Sequence, residues 1–298
     1  MLVFLNGKFI PRDDARVSAF DAGFQHAIGL FETMLARNGR VFRGDRHIAR
    51  LDGSARALGL SESLRVEPLL SAVALAVERN ELREARVRLT ITGGDLNWLQ
   101  SRGKRAADPT ILIVAQPPTE YPAEFFQRGV LVAVADDKQN PLDPFAGHKT
   151  LNYWPRVRAL QLAGAKGASE SLWFTVTNHL ASGCVSNVFL VRDGALLTPP
   201  ARGEETGGSL PSPVLPGITR AAVIELAEEQ SLAIERRMLA IADVLAADEI
   251  FLANSSWGVL PVRQVEGHVV GDGSPGPVTR ALRDAWTKLV EDETRAGV

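Results

Sequence analysis

Lys149 stands in the stretch DPFAGHKTLNYWPRVRAL, with His148 just before it and Tyr153 four places after it. A lysine amine is nucleophilic only when neutral, and an ordinary lysine is almost wholly protonated at neutral pH. Burial near other cations disfavours the ammonium, so an enclosed lysine is suited to make a covalent bond. A second group of residues is suited to an anion. In LPGITRAAVIELA, Gly217 precedes a helix start, and the amides of Ile218 and Thr219 lack partners within the helix. Such a start attracts phosphate through its amides and its dipole together. Arg50 in HIARL, and Asn254, Ser255 and Ser256 in LANSSWGVLPV, are candidates to join them. Each also has a plainer reading open to it, as a surface arginine or as turn residues.

Other chemistries are poorly supported. There is no Walker motif and no Gly-x-Gly-x-x-Gly before a helix, so the usual nucleotide sites are not expected. Five histidines and one cysteine show no metal-ligand spacing, which predicts no catalytic metal. Lys plus Arg number 33 against 35 Asp plus Glu, so no basic surplus draws nucleic acid or an anionic membrane. The single cysteine, Cys184, excludes an internal disulfide and suits a reducing compartment. The N-terminal MLVFLNGKFI reads as a strand and an Asn-Gly turn, not as a signal peptide. No uninterrupted apolar run is long enough to span a bilayer. A cytoplasmic protein acting on small molecules is expected.

These residues need elements to place them. GLFETMLARNGRVFRG reads as two strands joined at Asn38-Gly39. DRHIARLDGSARALGL carries Ile48, Leu51, Ala55 and Leu58 at helical spacing, and LLSAVALAVERNEL is a second helix. ARVRLTITGG and TILIVAQPP are strands, and the three prolines of residues 116–124 mark a linker without regular structure. This divides the chain into residues 1–118 and residues 119–298, with Lys149 in the second part. Further strands are expected at GVLVAVA, SLWFTV, NVFLVRDGALLTP and EIFLAN, and helices at PRVRALQLAGAKG, TRAAVIELAEEQ and GPVTRALRDAWTKLVEDE. Residues 199–217, rich in Gly, Pro and Ser, read as a mobile loop of the length that often serves as a lid. Strands and helices mix without strict alternation, which favours an α+β fold.

The order FETMLARNGRVF, HIARL, HKTLNY, SGCVSNVFLV, TP, LPGITR and ANSSWGVLPV resembles the class IV, or fold type IV, pyridoxal-phosphate aminotransferases, from about residue 3 to residue 280. That family includes branched-chain and D-amino-acid aminotransferases and 4-amino-4-deoxychorismate lyase. The resemblance implies a smaller N-terminal α/β domain, a larger pseudo-barrel C-terminal domain, pyridoxal 5'-phosphate between them, and a homodimer. It implies that Lys149 forms the imine with the cofactor aldehyde. Arg50, Ile218, Thr219 and Ser255 would hold the phosphate, and Tyr153 would lie near the phenolic oxygen. The implied activity is transfer of an amino group between an amino acid and a 2-keto acid.

One departure from the family stands out. Aligned on Ser186 and Asn187, the usual glutamate on the pyridine nitrogen is replaced by Ser182 in LASGCVSN. A neutral hydroxyl offers no charge-assisted partner to a protonated ring, so a weaker electron sink is expected. This keeps open a lyase that releases pyruvate from an aminated chorismate ring, as does the form of NSSWGVLPV with Asn254. A protein that binds the cofactor without turnover is a third reading, opposed by the retained Lys149. Gln25 and His26 stand where the family usually has Tyr-Gly-Asp-Gly, which leaves the substrate wall unread. His148 is expected to make a structural hydrogen bond, Glu32 to cap or pair within the sheet, and Cys184 to be buried and inert.

Overall fold

In the computed structural model residues 1–95 and 109–295 are described. They fall into two compact units: Met1–Thr119 with His148–Asn152 and Val290–Val298, and Glu120–Gly147 with Tyr153–Leu289. Lys149 therefore belongs with the N-terminal unit, not with the C-terminal part where the order of the chain put it.

The first unit is built on six antiparallel strands: β1 (Leu2–Leu5), β2 (Lys8–Pro11), β3 (Gly29–Arg37), β4 (Arg40–Val41), β5 (Ala85–Thr92) and β6 (Ile111–Gln116), in the order β2-β1-β6-β5-β3-β4. Both hairpins turn on Asn-Gly: Asn6-Gly7 and Asn38-Gly39 take positive φ at both residues, the geometry that matches the twist of the flanking strands. A short helix α1 (Ala22–His26) precedes β3, and α2 (Gly44–Ala57) and α3 (Val66–Glu78) follow the second hairpin. Helix α2 buries His47, Ile48, Leu51, Ser54 and Ala55, a stripe at helical spacing. Ile48 and Leu51 join Leu30, Met34, Leu89 and Ile113 of the sheet in one apolar core. Two helices packed on an antiparallel sheet give the expected α+β arrangement.

The second unit opens with α4 (Ala123–Arg128), so the proline segment ends in a helix that Pro122 caps. Its sheet runs through β7 (Val130–Gln139), β8 (Glu170–Thr175), β9 (Leu180–Gly183), β10 (Asn187–Arg192), β11 (Ala195–Thr198), β12 (Ile234–Arg236), β13 (Glu249–Asn254), β14 (Gly258–Val265) and β15 (His268–Val269). The order is β12-β11-β10-β13-β14-β7-β8-β9, with β15 on β14. The pairs β14–β7, β7–β8 and β11–β12 are parallel and the rest antiparallel. The edge strand β9 also lies against β10, so the sheet curls back on itself as a pseudo-barrel does. Inside are Leu172, Val188, Leu190, Leu252, Leu260 and Val262. Helix α5 (Trp154–Ala165) packs on β7 and β8, while α6 (Ile218–Glu229), α7 (Ile241–Leu245) and α8 (Pro277–Thr294) as far as Leu289 complete the unit. All six residues of β8 are buried, as a strand covered on both faces requires. Among the described residues, no helix is long and apolar enough to cross a membrane.

Candidate active site

Lys149 is held through its main chain. The Phe31 amide donates to the Lys149 carbonyl at 2.9 Å, and the Leu151 amide donates to the Gly29 carbonyl at 2.9 Å, so the segment runs antiparallel beside β3 through a Leu30–Thr150 bridge. Gly29 makes the approach possible, because a Cβ there would fall 2.6 Å from Leu151 Cδ1 and 2.5 Å from the Ile91 carbonyl. The Lys149 side chain is half-buried, with Nζ 4.3 Å from the centre of the Phe31 ring. Arg88 Cζ stands 3.9 Å from the same ring centre, which places two cations on one aromatic side chain. His148 Nδ1 meets Ser54 Oγ of α2 at 2.9 Å.

Next along β3, Glu32 is 1% exposed and pairs with α2 rather than within the sheet as expected. Its carboxylate accepts from Arg50 Nε at 2.8 Å, from Arg50 Nη2 at 2.5 Å and from His47 Nδ1 at 2.7 Å. Burial pushes the Glu32 pKa up, but the Arg50 charge and the bonds from His47 and Arg50 outweigh it and hold the group at about 2. For His47, burial lowers the pKa against the pull of Glu32, with Arg50 and Lys149 adding to the lowering. The imidazole is therefore neutral and carries its proton on Nδ1, toward Glu32. The pairing fixes the plane of the Arg50 guanidinium, the candidate anion partner in this unit.

In the second unit the other candidates meet at the turn from β9 to β10. Ser182, 4% exposed, donates from Oγ to the Gly183 carbonyl at 2.8 Å. Tyr153 donates its hydroxyl to the Cys184 carbonyl at 3.3 Å, and Asn254 Nδ2 donates to the Val185 carbonyl at 3.2 Å. Asn254 Oδ1 accepts from the amides of Ser256 and Trp257, so one side chain shapes its own turn, with half-buried Ser255 in it, and ties it to the β9–β10 turn. Cys184 is fully buried, its Sγ receives the Trp173 indole N–H at 3.3 Å, and burial pushes its thiol up to about 12, which makes it inert.

The helix start follows from the same region. Gly217 caps α6 without a side-chain hydrogen bond, and a Cβ there would land 2.0 Å from Asn187 Oδ1. Asn187 in turn donates to the Leu215 carbonyl at 2.9 Å, which sets the approach to Ile218 and Thr219. Residues 199–217 have no helix or strand, yet they are tied down rather than loose. Arg220 donates to Glu204 at 2.8 and 2.7 Å and to the Pro199 carbonyl at 3.1 Å, and Arg202 Nη1 donates to the Ala146 carbonyl at 2.7 Å.

Several site residues carry no local sequence signal. Glu170 at the head of β8 is fully buried and accepts from the amides of Ser171, Cys184 and Val185 and from the Ser186 hydroxyl. Arg156 of α5 reaches the same turn from the opposite side, donating to the carbonyls of Gly183 and Cys184 at 3.0 and 2.9 Å. A charged residue heading a strand with the apolar run Leu172–Phe174 was the clue to Glu170. Arg156 reads as one of two arginines, with Arg158, on a largely exposed helix. Gln25 and His26 lie exposed on α1. Among the described residues, no group of three or more His, Cys, Asp or Glu is placed to hold a metal ion.

This geometry has counterparts. The model of the family described as amino-transferase class IV matches residues 29–265. A putative branched-chain-amino-acid aminotransferase of Methanocaldococcus jannaschii is 32% identical over 97% of this chain and 96% of its own length. The branched-chain amino acid aminotransferase of Escherichia coli superposes with a TM-score of 0.88 at 27% identity, covering 99% of this chain and 96% of that one. The 4-amino-4-deoxychorismate lyase of Pseudomonas aeruginosa superposes with a TM-score of 0.79 at 28% identity, covering 99% and 100%. With the family's model covering both the lysine segment and the turns described above, the chain belongs to the class IV aminotransferases, enzymes that use pyridoxal phosphate.

Proposed function

We propose that the chain binds pyridoxal 5'-phosphate on Lys149 and moves an amino group between an amino acid and a 2-keto acid. The observation that carries this reading is the anchoring of Lys149: its main chain is bonded to β3, so the amine is presented from a fixed backbone. The chain's donors fit a phosphorylated aldehyde. An amine is available at Lys149, and α6 begins without a side-chain cap at a glycine where any Cβ would strike Asn187. Arg50, Ile218, Thr219 and Ser255 would take the phosphate, and Tyr153, Ser182 and Asn254 would line the ring. When bound, the cofactor supplies an aldehyde and a ring that withdraws electrons from the substrate's α-carbon. Lys149 then serves as the acid and base at that carbon. The same reading carries a cytoplasmic location and a homodimer, and the homodimer is supported by Phe20, Phe24 and Trp154, which are 70%, 78% and 73% exposed and suit a covering copy.

A second reading is the lyase reaction that releases pyruvate from an aminated chorismate ring. Ser182 and the likeness to the Pseudomonas aeruginosa lyase favour it. Borohydride added to the protein and pyridoxal phosphate should fix a pyridoxyl group on Lys149, read by peptide mass, and Lys149→Ala should take no label. A wild-type chain that stays unlabelled contradicts the proposal. A panel of L- and D-amino acids with keto acids, run beside aminodeoxychorismate, separates transfer from elimination.

A further inference from the structure

Helix α2 carries an apolar stripe and a polar one side by side. Ile48, Leu51 and Ala55 are buried in the core of the first unit, which fixes the helix on its sheet. His47, Arg50 and Ser54 each stand one residue earlier, so they share the edge next to that apolar face. They differ in what they meet. His47 and Arg50 bond the Glu32 carboxylate of β3, whereas Ser54, 7% exposed, meets His148 Nδ1 with its hydroxyl at 2.9 Å.

These contacts close a triangle. Strand β3 is tied to α2 through Glu32, and to residues 149–151 through the Phe31 and Leu151 amides. The third side is the His148–Ser54 bond, which ties the residue before Lys149 to the helix that bears Arg50. A hydroxyl can accept from a ring nitrogen or donate to it, so the bond holds in either tautomer of the imidazole. Arg50 and Lys149 thus stand at two corners of one braced frame.

We infer that Ser54 and His148 are positioning residues that fix the spacing of Arg50 and Lys149, and so favour an aldehyde that carries an anionic group. The inference rests on the proposed binding of pyridoxal phosphate. A ligand gripped at two points outdoes one gripped at a single point only while the two receptor groups keep their separation. Play between them lowers the effective concentration of the second group. The bond therefore bears on the preference for the phosphorylated aldehyde, and less on aldehyde capture as such.

The test compares pyridoxal 5'-phosphate with pyridoxal, each titrated into the whole chain. The lysine-bound aldehyde is read by absorbance and assigned to Lys149 by borohydride trapping and peptide mass. The ratio of the two dissociation constants measures the gain from the second grip, and the hemiacetal of free pyridoxal cancels between variants. Ser54→Ala should cut that ratio by about fivefold, the worth of one hydrogen bond. His148→Leu should do the same, while His148→Asn, which keeps a polar atom near the place of Nδ1, should hold the wild-type ratio. In an Arg50→Gln background Ser54→Ala should leave the ratio unchanged, because one corner of the frame is already gone. A ratio that Ser54→Ala leaves untouched, or a loss shared equally by both aldehydes, reduces the bond to a brace of the fold and overturns the inference. So does an equal fall in the ratio with and without Arg50. A wild-type chain that takes neither aldehyde on Lys149 overturns the proposed function as well. If the His148 variants do not fold, Ser54→Ala decides alone, since alanine suits a helix interior.

Discussion

Glu32 and Glu170 are both buried glutamates, 1% and 0% exposed, and they are satisfied by opposite means. Glu32 faces a guanidinium and an imidazole on a neighbouring helix, while Glu170 accepts from three amides and a hydroxyl. The first arrangement orients a side chain, because Arg50 is steered by the charge it meets. The second shapes a backbone, because amides at residues 184 and 185 are pulled onto one carboxylate and the β9–β10 turn closes around it. A buried charge in this protein therefore orients either a neighbouring cation or a loop, according to what surrounds it.

Removing the charges should separate the two roles. The largest effect is expected from Glu32→Gln, which leaves Arg50 without its counter-charge in a buried setting and should cost about 3–5 kcal/mol. Urea denaturation measures it, and a loss below about 1 kcal/mol would show that water compensates Arg50. Glu170→Gln keeps the shape but turns an N–H₂ group toward donors, for about 2–3 kcal/mol. Its effect should be local, seen as faster hydrogen exchange at the Cys184 and Val185 amides, with exchange around Arg50 unchanged. The smallest effect is mild acid on the wild type. Because the His47 pKa is lowered from 6.5 by burial, the unfolded chain binds a proton below that pH before the folded one does. Stability should fall by about 1 kcal/mol per pH unit below 6.5. A second decline should begin below 4.5, the ordinary value for Glu32, and run toward about 2, since its depressed pKa stabilises the fold only while the carboxylate is ionised. Glu32→Gln should shrink that second decline, leaving the part due to Glu204, Glu205 and Asp243, whose pKa values are also lowered; an unchanged decline would assign it to those carboxylates alone.

How much of this could be read from the chain depended on whether the signal was local. The glycine before α6 and the Asn-Gly hairpins were legible, since each depends on residues adjacent in sequence. Ser182 was legible only against the family's order of motifs. The partners of Glu32, Glu170 and Arg156 were not, because a carboxylate fourteen residues from Cys184 gains its meaning only when β8 and the turn after β9 come together. The placement of Lys149 failed for the same reason: its segment is bonded to β3, 118 residues away in sequence at Phe31. Residues 199–217 looked loose because glycine, proline and serine dominate them, while what restrains them is Arg220 on the following helix and Arg202 within.

The stitching of residues 149–151 to β3 runs entirely through peptide groups and leaves the lysine side chain out of the seam. Position 149 can thus be emptied, shortened or given a different amine without unpicking the fabric around it. A chemically silent version of this protein, with its architecture intact, should be obtainable by a single exchange there, and would serve to capture ligands that the active form consumes.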